Sequence, residues 1–244
     1  MCRHLGYLGP PVALSELLTV PDHSLVDQAR APRLQRRGID NPDGWGVGWY
    51  DADSSLHRYR TARAIWFDAG LESLVSDIHS SAFIAAVRLA SPGSPVEETG
   101  NAPFVDDHWL FSLNGVVDGF FDGVGDELRS LVSAGRAARI TGHVDTEVLF
   151  ALTLDRVDAG ASPGAAMTAV IQDVERRTTG SFNFLLTDGR QMTATACGNS
   201  LFMRTTAGSM CVASEALDDG PEWAPVSERS LVTADATGVT ITSL

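Results

Sequence analysis

Cys2 is the first residue in this chain whose position suggests chemistry. Bacterial initiator methionine is removed readily when residue two is small, so the mature chain is expected to begin with cysteine. Thiol and α-amine would then share one residue. A free α-amine titrates near about 8. It can therefore take the thiol proton close to neutral pH, which compresses nucleophile and base into one amino acid. A cysteine behind Met1 is also a common accident, so its company must decide.

That company is polar residues set in apolar surroundings. Asn114-Gly115 follows the apolar run Trp109 to Leu113. Asn-Gly after a strand reads as a tight turn. It also offers an amide side chain and an approachable backbone N–H, the two donors an oxyanion needs. Arg88 lies within the apolar stretch Phe83 to Ala90. A guanidinium there needs a partner, either a protein carboxylate or a bound carboxylate gripped by two N–H groups. Ser91 could add a hydroxyl to that grip. Asp145 opens a helical segment, where N-capping alone would account for it. Trp45 either touches a ligand through its loop or anchors a hairpin, together with Gly46 and Trp49. His4, two residues from Cys2, fits packing or a hydrogen bond better than a role as base. Cys197 and Cys211 sit in apolar, strand-like segments as buried thiols.

Six segments, in order along residues 2 to 147, resemble the N-terminal nucleophile amidotransferases, or class II glutamine amidotransferases. They are Cys2-Arg-His-Leu-Gly-Tyr-Leu-Gly9, Asn41-Pro-Asp-Gly-Trp-Gly46, Val87-Arg-Leu-Ala-Ser91, Asn101-Ala-Pro103, Ser112-Leu-Asn-Gly115 and Asp145-Thr-Glu147. The resemblance implies that Cys2 is the nucleophile and that Asn114 and Gly115 form the oxyanion hole. It implies that Arg88, with Ser91, holds the α-carboxylate of a glutamyl group and that Asp145 receives its α-ammonium. The fold it implies is α+β, a four-layer αββα sandwich, working without metal or cofactor. The opening, the Asn-Pro-Asp-Gly-Trp-Gly-Val-Gly-Trp-Tyr stretch and Ala213-Ser-Glu-Ala-Leu-Asp-Asp219 followed by Trp223 are most similar to the ergothioneine-biosynthesis amidohydrolases. Those enzymes remove the glutamyl group from γ-glutamyl-hercynylcysteine sulfoxide. Two other readings stand beside this one. One is a glutaminase subunit that supplies ammonia to a separate synthase, and the other is a non-catalytic γ-glutamyl-binding protein.

The elements that must position these residues read as strands, then helices, then strands. Residues 2–8, 45–50, 56–60, 81–89 and 108–117 are expected strands. Residues 20–43 read as loop, punctuated by Pro21, Pro32, Gly38 and Pro42 and carrying Arg30, Arg33, Arg36 and Arg37. Helices are expected over 72–79, 124–134, 145–159 and after the Ser162-Pro163 start signal. In 181–187, Phe182, Phe184 and Leu186 alternate onto one face, and strands follow over 191–206, 209–214 and 230–243. No linker divides the chain, so residues 1–244 are expected to form one domain.

Composition narrows the function classes. The 244 residues carry 44% hydrophobic and 20% charged side chains, the balance of a globular protein. A net charge of -13 argues against general nucleic-acid or anionic-membrane binding. It leaves room for a small anionic ligand held by a local arginine. No apolar run is long enough to span a bilayer. No secretory signal is legible, so a cytoplasmic location is expected. Three cysteines without a Cys-x-x-Cys pair suggest neither a disulfide framework nor a zinc knuckle. The expected partner is a small γ-glutamyl compound, and the sequence does not speak to oligomeric state.

Overall fold

A computed structural model describes residues 2–206 and 208–244. Met1, whose removal is expected, and Ala207, in an expected Ala-Gly turn, lie outside the described residues. The order is β1 (Arg3–Ala13), α1 (Ser15–Leu18), α2 (Leu25–Arg30), β2 (Trp45–Tyr50), β3 (Leu56–Thr61), α3 (Leu71–Asp77) and β4 (His79–Val87). Then come β5 (Phe104–Asp106), β6 (Trp109–Val117), α4 (Val124–Ser130), α5 (Ala134–Ala137), α6 (Asp145–Asp158) and α7 (Pro163–Glu175). The chain ends with β7 (Gly180–Thr187), β8 (Met192–Ala196), β9 (Phe202–Thr206), β10 (Ser209–Ala213), β11 (Ala224–Pro225), β12 (Ser230–Asp235) and β13 (Gly238–Ser243).

Two antiparallel sheets face each other. One runs β11-β9-β10-β1-β4-β2-β3, the other β13-β12-β8-β7-β6-β5. Side-chain alternation sorts the residues into three apolar layers. Leu5, Tyr7, Phe83 and Ala85 face outward beneath α1 to α3. Phe111, Phe182, Phe184 and Leu186 face outward beneath α6 and α7. Ile84, Leu110, Leu185, Met192 and Val212 fill the space between the sheets. The result is the four-layer αββα sandwich, and β4 and β6 are buried because they lie inside it.

Several local expectations are corrected. The 20–43 stretch contains α2, capped by Ser24, whose hydroxyl accepts from the Asp27 N–H while Asp27 bonds back to the Ser24 N–H. Six residues are too few to impose a hydrophobic period against the surrounding prolines and glycines. β1 runs on to Ala13, with its register to β4 broken between Leu8 and Val12. Pro10 and Pro11 occupy that break, where no ladder N–H is needed. The helix expected over 124–134 ends at Ser130, and the chain restarts as α5. Asp155 of α6 draws the intervening Ser133 to itself through the Ser133 N–H and Oγ, both at 2.7 Å. Asn114-Gly115 is no turn: β6 passes straight through it, pairing Asn114 with Asn183 and Gly115 with Phe182.

Candidate active site

β1 lies between β10 and β4, and Cys2 immediately precedes it. Its register pairs Arg3 with Val87, which brings Cys2 beside Arg88, the residue that follows β4. The end of β6 and the start of α6 close the other side. A cavity of about 320 Å³ results, lined by Cys2, Arg88, Ser91, Gly115 and Asp145, with Arg37 at its wall. Five of the seven expected site residues therefore share one cavity.

Arg88 is nearly buried, and among the described residues it makes no ion pair. Its Nη1 donates to the Pro95 carbonyl at 3.1 Å and its Nη2 to Ser94 Oγ at 2.6 Å. Both acceptors are neutral, so they orient the fork and leave its charge for an anion. The structural ion pair considered for this residue does not form. The backbone here is fixed by the Asp43-Gly44 turn. Arg88 N–H donates to the Gly44 carbonyl at 2.8 Å and Asp43 N–H to the Arg88 carbonyl at 2.9 Å. Ala90 N–H donates to Asp43 Oδ2 at 2.8 Å. The Asn-Pro-Asp-Gly segment thus grips the arginine strand end from behind. Gly100 lies against the guanidinium, where a Cβ would come within 2.8 Å of Nη1.

Asp145 is the first residue of α6, and Val144 takes the cap position. Its Oδ2 accepts from the Val117 N–H at 3.0 Å, which ties α6 to the end of β6. Its Oδ1 accepts from the Thr146 N–H at 2.7 Å. Burial raises its pKa above the ordinary aspartate value, against the pull of these hydrogen bonds and of Arg88's charge. A half-buried carboxylate and a buried guanidinium line one cavity, an arrangement that would suit the two charges of a zwitterion.

Gly115 lines the cavity, and a Cβ there would lie 1.9 Å from the Ser181 carbonyl oxygen, so no other residue fits. Asn114 is fully buried and is not part of the cavity wall. Its Nδ2 donates to Ser214 Oγ at 3.1 Å, its carbonyl accepts from Asn199 Nδ2 at 2.9 Å, and its Oδ1 has no partner.

Trp45 is corrected. It is a fully buried core residue of β2 with its indole N–H on Asp68 at 3.0 Å and its ring against Tyr59. The strand period turns it toward the outer helices, away from the cavity. Trp49 stacks on His57. His4 is buried with Nδ1 3.1 Å from Ser112 Oγ, as packing and hydrogen bonding require. Burial, aided by the charge of Arg3, pushes its pKa down to about 3, so it is neutral. Cys197 and Cys211 are buried, and burial raises both thiols above their ordinary range.

Sequence reasoning missed a buried charge cluster. Glu215 forms an ion pair with Arg3, its Oε1 2.8 Å from Nε, and its Oε2 lies 2.7 Å from His23 Nε2. It also accepts from the backbone N–H groups of Arg33 at 2.7 Å and Leu34 at 3.0 Å. Burial pushes this carboxyl up, but His23, the two amides and Arg3 outweigh it and hold it below the usual glutamate value. The cluster pins the arginine-bearing loop to the strand that carries Cys2. Its signal was the Ser214-Glu215 pair after an apolar strand, which by itself indicates nothing about a distant loop. Among the described residues no group of three or more His, Cys, Asp or Glu side chains is placed to hold a metal ion, and no helix is long and apolar enough to cross a membrane.

The pattern of the class II glutamine amidotransferases matches residues 31–207. Gamma-glutamyl-hercynylcysteine sulfoxide hydrolase of Mycobacterium tuberculosis (strain CDC 1551 / Oshkosh) is 37% identical, covering 100% of this chain and 97% of its own. The protein of the same name from Mycolicibacterium smegmatis is 34% identical, covering 100% of both chains. Among solved structures, a glutamine aminotransferase class-II domain protein from Silicibacter pomeroyi superposes with a TM-score of 0.75 at 21% identity, covering 100% of this chain and 99% of that one. Sequence pattern, full-length relatives and four-layer fold agree, and the chain belongs to the class II glutamine amidotransferase family.

Proposed function

We propose that this chain is an amidohydrolase that cleaves the γ-glutamyl amide of γ-glutamyl-hercynylcysteine sulfoxide, releasing glutamate and hercynylcysteine sulfoxide. One observation carries the reading: Cys2, Gly115, Arg88 and Asp145 line a single cavity. Full-length relatives bearing that hydrolase name support the substrate. In this reading the Arg88 fork holds the α-carboxylate and Asp145 the α-ammonium. The two clamps fix the glutamyl chain so that its γ-carbonyl meets the Cys2 sulfur. The Cys2 amine, free once Met1 is removed, takes the thiol proton and the thiolate attacks. The Gly115 N–H on the cavity wall and the amide of the adjoining Asn114, which must reach the cavity from its buried position, hold the oxyanion, and the amine returns its proton to the leaving nitrogen. A γ-glutamyl thioester remains, and water activated by the same amine hydrolyses it.

The leaving half calls for its own contacts. Of the four loop arginines, Arg33 pairs with Asp219, Arg36 donates to the Gly198 carbonyl and Arg30 lies over Trp66. Arg37 alone of the four lines the cavity. It suits the carboxylate or the sulfoxide oxygen of the leaving half. Phe121, also on the wall and half-exposed, suits the trimethylammonium, a role the buried Trp45 cannot take. Free glutamine offers none of these groups. The test is glutamate release from the sulfoxide conjugate and from glutamine, measured side by side. A kcat/KM at least 100-fold higher for the conjugate is expected. Equal or better turnover of glutamine would reject the substrate and favour a glutaminase.

A further inference from the structure

The strand that follows Cys2 and the strand that bears Asn114 belong to different sheets, yet the attack and the oxyanion must meet at one carbon atom. Ser214 joins the two sheets at that level. It follows β10 and lies opposite His4, two residues from the nucleophile. Its backbone N–H donates to the His4 carbonyl at 2.9 Å. Its hydroxyl accepts from the His4 N–H at 3.0 Å and donates back to the His4 carbonyl at 3.2 Å. The same oxygen then reaches into the second sheet and accepts from Asn114 Nδ2 at 3.1 Å. Ser200 Oγ holds the Ser214 carbonyl at 2.7 Å, so the residue is anchored at both ends. Ser214, His4 and Asn114 are all fully buried.

The hydroxyl's capacity is used up. Its proton goes to His4, and its lone pairs go to the His4 N–H and the Asn114 amide. With the proton on the His4 carbonyl, the hydroxyl oxygen accepts from the amide nitrogen of Asn114. One N–H of Nδ2 is held, and the other is aimed by the planarity of the group. An amide flip would require the hydroxyl proton to leave the His4 carbonyl.

We propose that Ser214 is a positioning residue for the oxyanion hole, a hydroxyl that registers the Asn114 amide of one sheet to the nucleophile strand of the other. The proposal rests on the reading of Asn114 as an oxyanion donor. Its effect should appear in kcat, because an oxyanion exists only after attack, while the glutamyl clamps that set KM stay intact.

The test is a cycle of Ser214→Ala, Asn114→Ala and the double variant, with kcat and KM for glutamate release and circular dichroism on each. Ser214→Ala should lower kcat by tenfold or more with KM changed less than threefold. The double variant should match Asn114→Ala alone within about twofold, since Ser214 has nothing left to position. Losses that multiply would overturn the proposal and make Ser214 merely structural, as would a wild-type kcat for Ser214→Ala. If Asn114→Ala itself keeps wild-type kcat, the oxyanion reading fails first, and the proposal falls with it. Should Ser214→Ala not fold, Ser214→Cys replaces it in the cycle, with similar shape and a weaker acceptor. The same coupling supports the proposal and multiplying losses overturn it.

Discussion

Replacing Gly100 by alanine perturbs the arginine clamp without touching the arginine. The added Cβ would stand 2.8 Å from Arg88 Nη1, 3.0 Å from Cζ and 3.1 Å from Nη2. Ordinary van der Waals contact begins at 3.4 Å, so the guanidinium must retreat by about 0.6 Å, the difference between 3.4 and 2.8 Å. The neighbour is the far end of a flexible side chain, so the fold can yield there. The clamp cannot yield so freely. Its fork is set by the 2.6 Å bond to Ser94 and the 3.1 Å bond to Pro95, and the retreat spoils its aim at a carboxylate. A hydrogen bond to a charged group contributes about 1.5–3 kcal/mol, so weakening such a bond by half should cost roughly 0.8–1.5 kcal/mol. In the proposed reading Arg88 holds the α-carboxylate equally before and during reaction, so the loss should fall on KM, raised about four- to tenfold, with kcat nearly unchanged. The assay is steady-state glutamate release, with a thermal melt to show that folding is preserved. An unchanged KM in a well-folded Gly100→Ala protein would refute the clamp geometry. A fall in kcat alone would place Arg88 in the chemical step instead.

Other perturbations separate the remaining parts. Asn114→Ala should lower kcat by about 100-fold or more, on the order of 3 kcal/mol, with KM little changed, as kinetics on the conjugate will show. Arg37→Gln should raise KM for the sulfoxide conjugate while leaving any slow glutamine hydrolysis untouched; equal effects on both substrates would remove Arg37 from the leaving-half subsite. Stability should also depend on pH through His4. Its folded value of about 3 lies below its unfolded 6.5, so between these values the unfolded chain binds a proton that the folded chain does not. Stability from this group is complete above pH 6.5 and lost as pH falls toward 3. The loss at pH 5 is about 2 kcal/mol. Glu215, also depressed, adds to the loss below its ordinary 4.5. Urea unfolding of wild type and His4→Gln at pH 7 and 5 checks this, and identical pH dependence of the two would contradict it.

The parts of the site that were legible in the sequence are those where a residue type is itself the chemistry. Cys2, Arg88, Asp145 and Gly115 meet in one cavity because strand period and register bring them there. The alternation of Phe182, Phe184 and Leu186 correctly gave the helix-facing side of β7. Long-range polar partners were not legible. Ser214 and Glu215 are neighbours in sequence, yet one bonds Asn114 across the sheets and the other holds the backbone at Arg33 and Leu34. No local pattern encodes such contacts. Trp45 misled for a related reason: 45–50 is the expected strand, but nothing local says which face the indole takes, and it lies buried on the helix-facing side. The loop arginines looked equivalent until their partners were seen.

The central claim is that the γ-glutamyl group passes through the Cys2 sulfur. Acid-quenched turnover of γ-glutamyl-hercynylcysteine sulfoxide, followed by peptide mapping by mass spectrometry, tests it most directly. The expected result is a chain that begins at Cys2 and a glutamyl adduct on the N-terminal peptide, labile to hydroxylamine and absent from Cys2→Ala. Glutamate release at the full rate by Cys2→Ala, or an adduct on Cys197 or Cys211 instead, would contradict it.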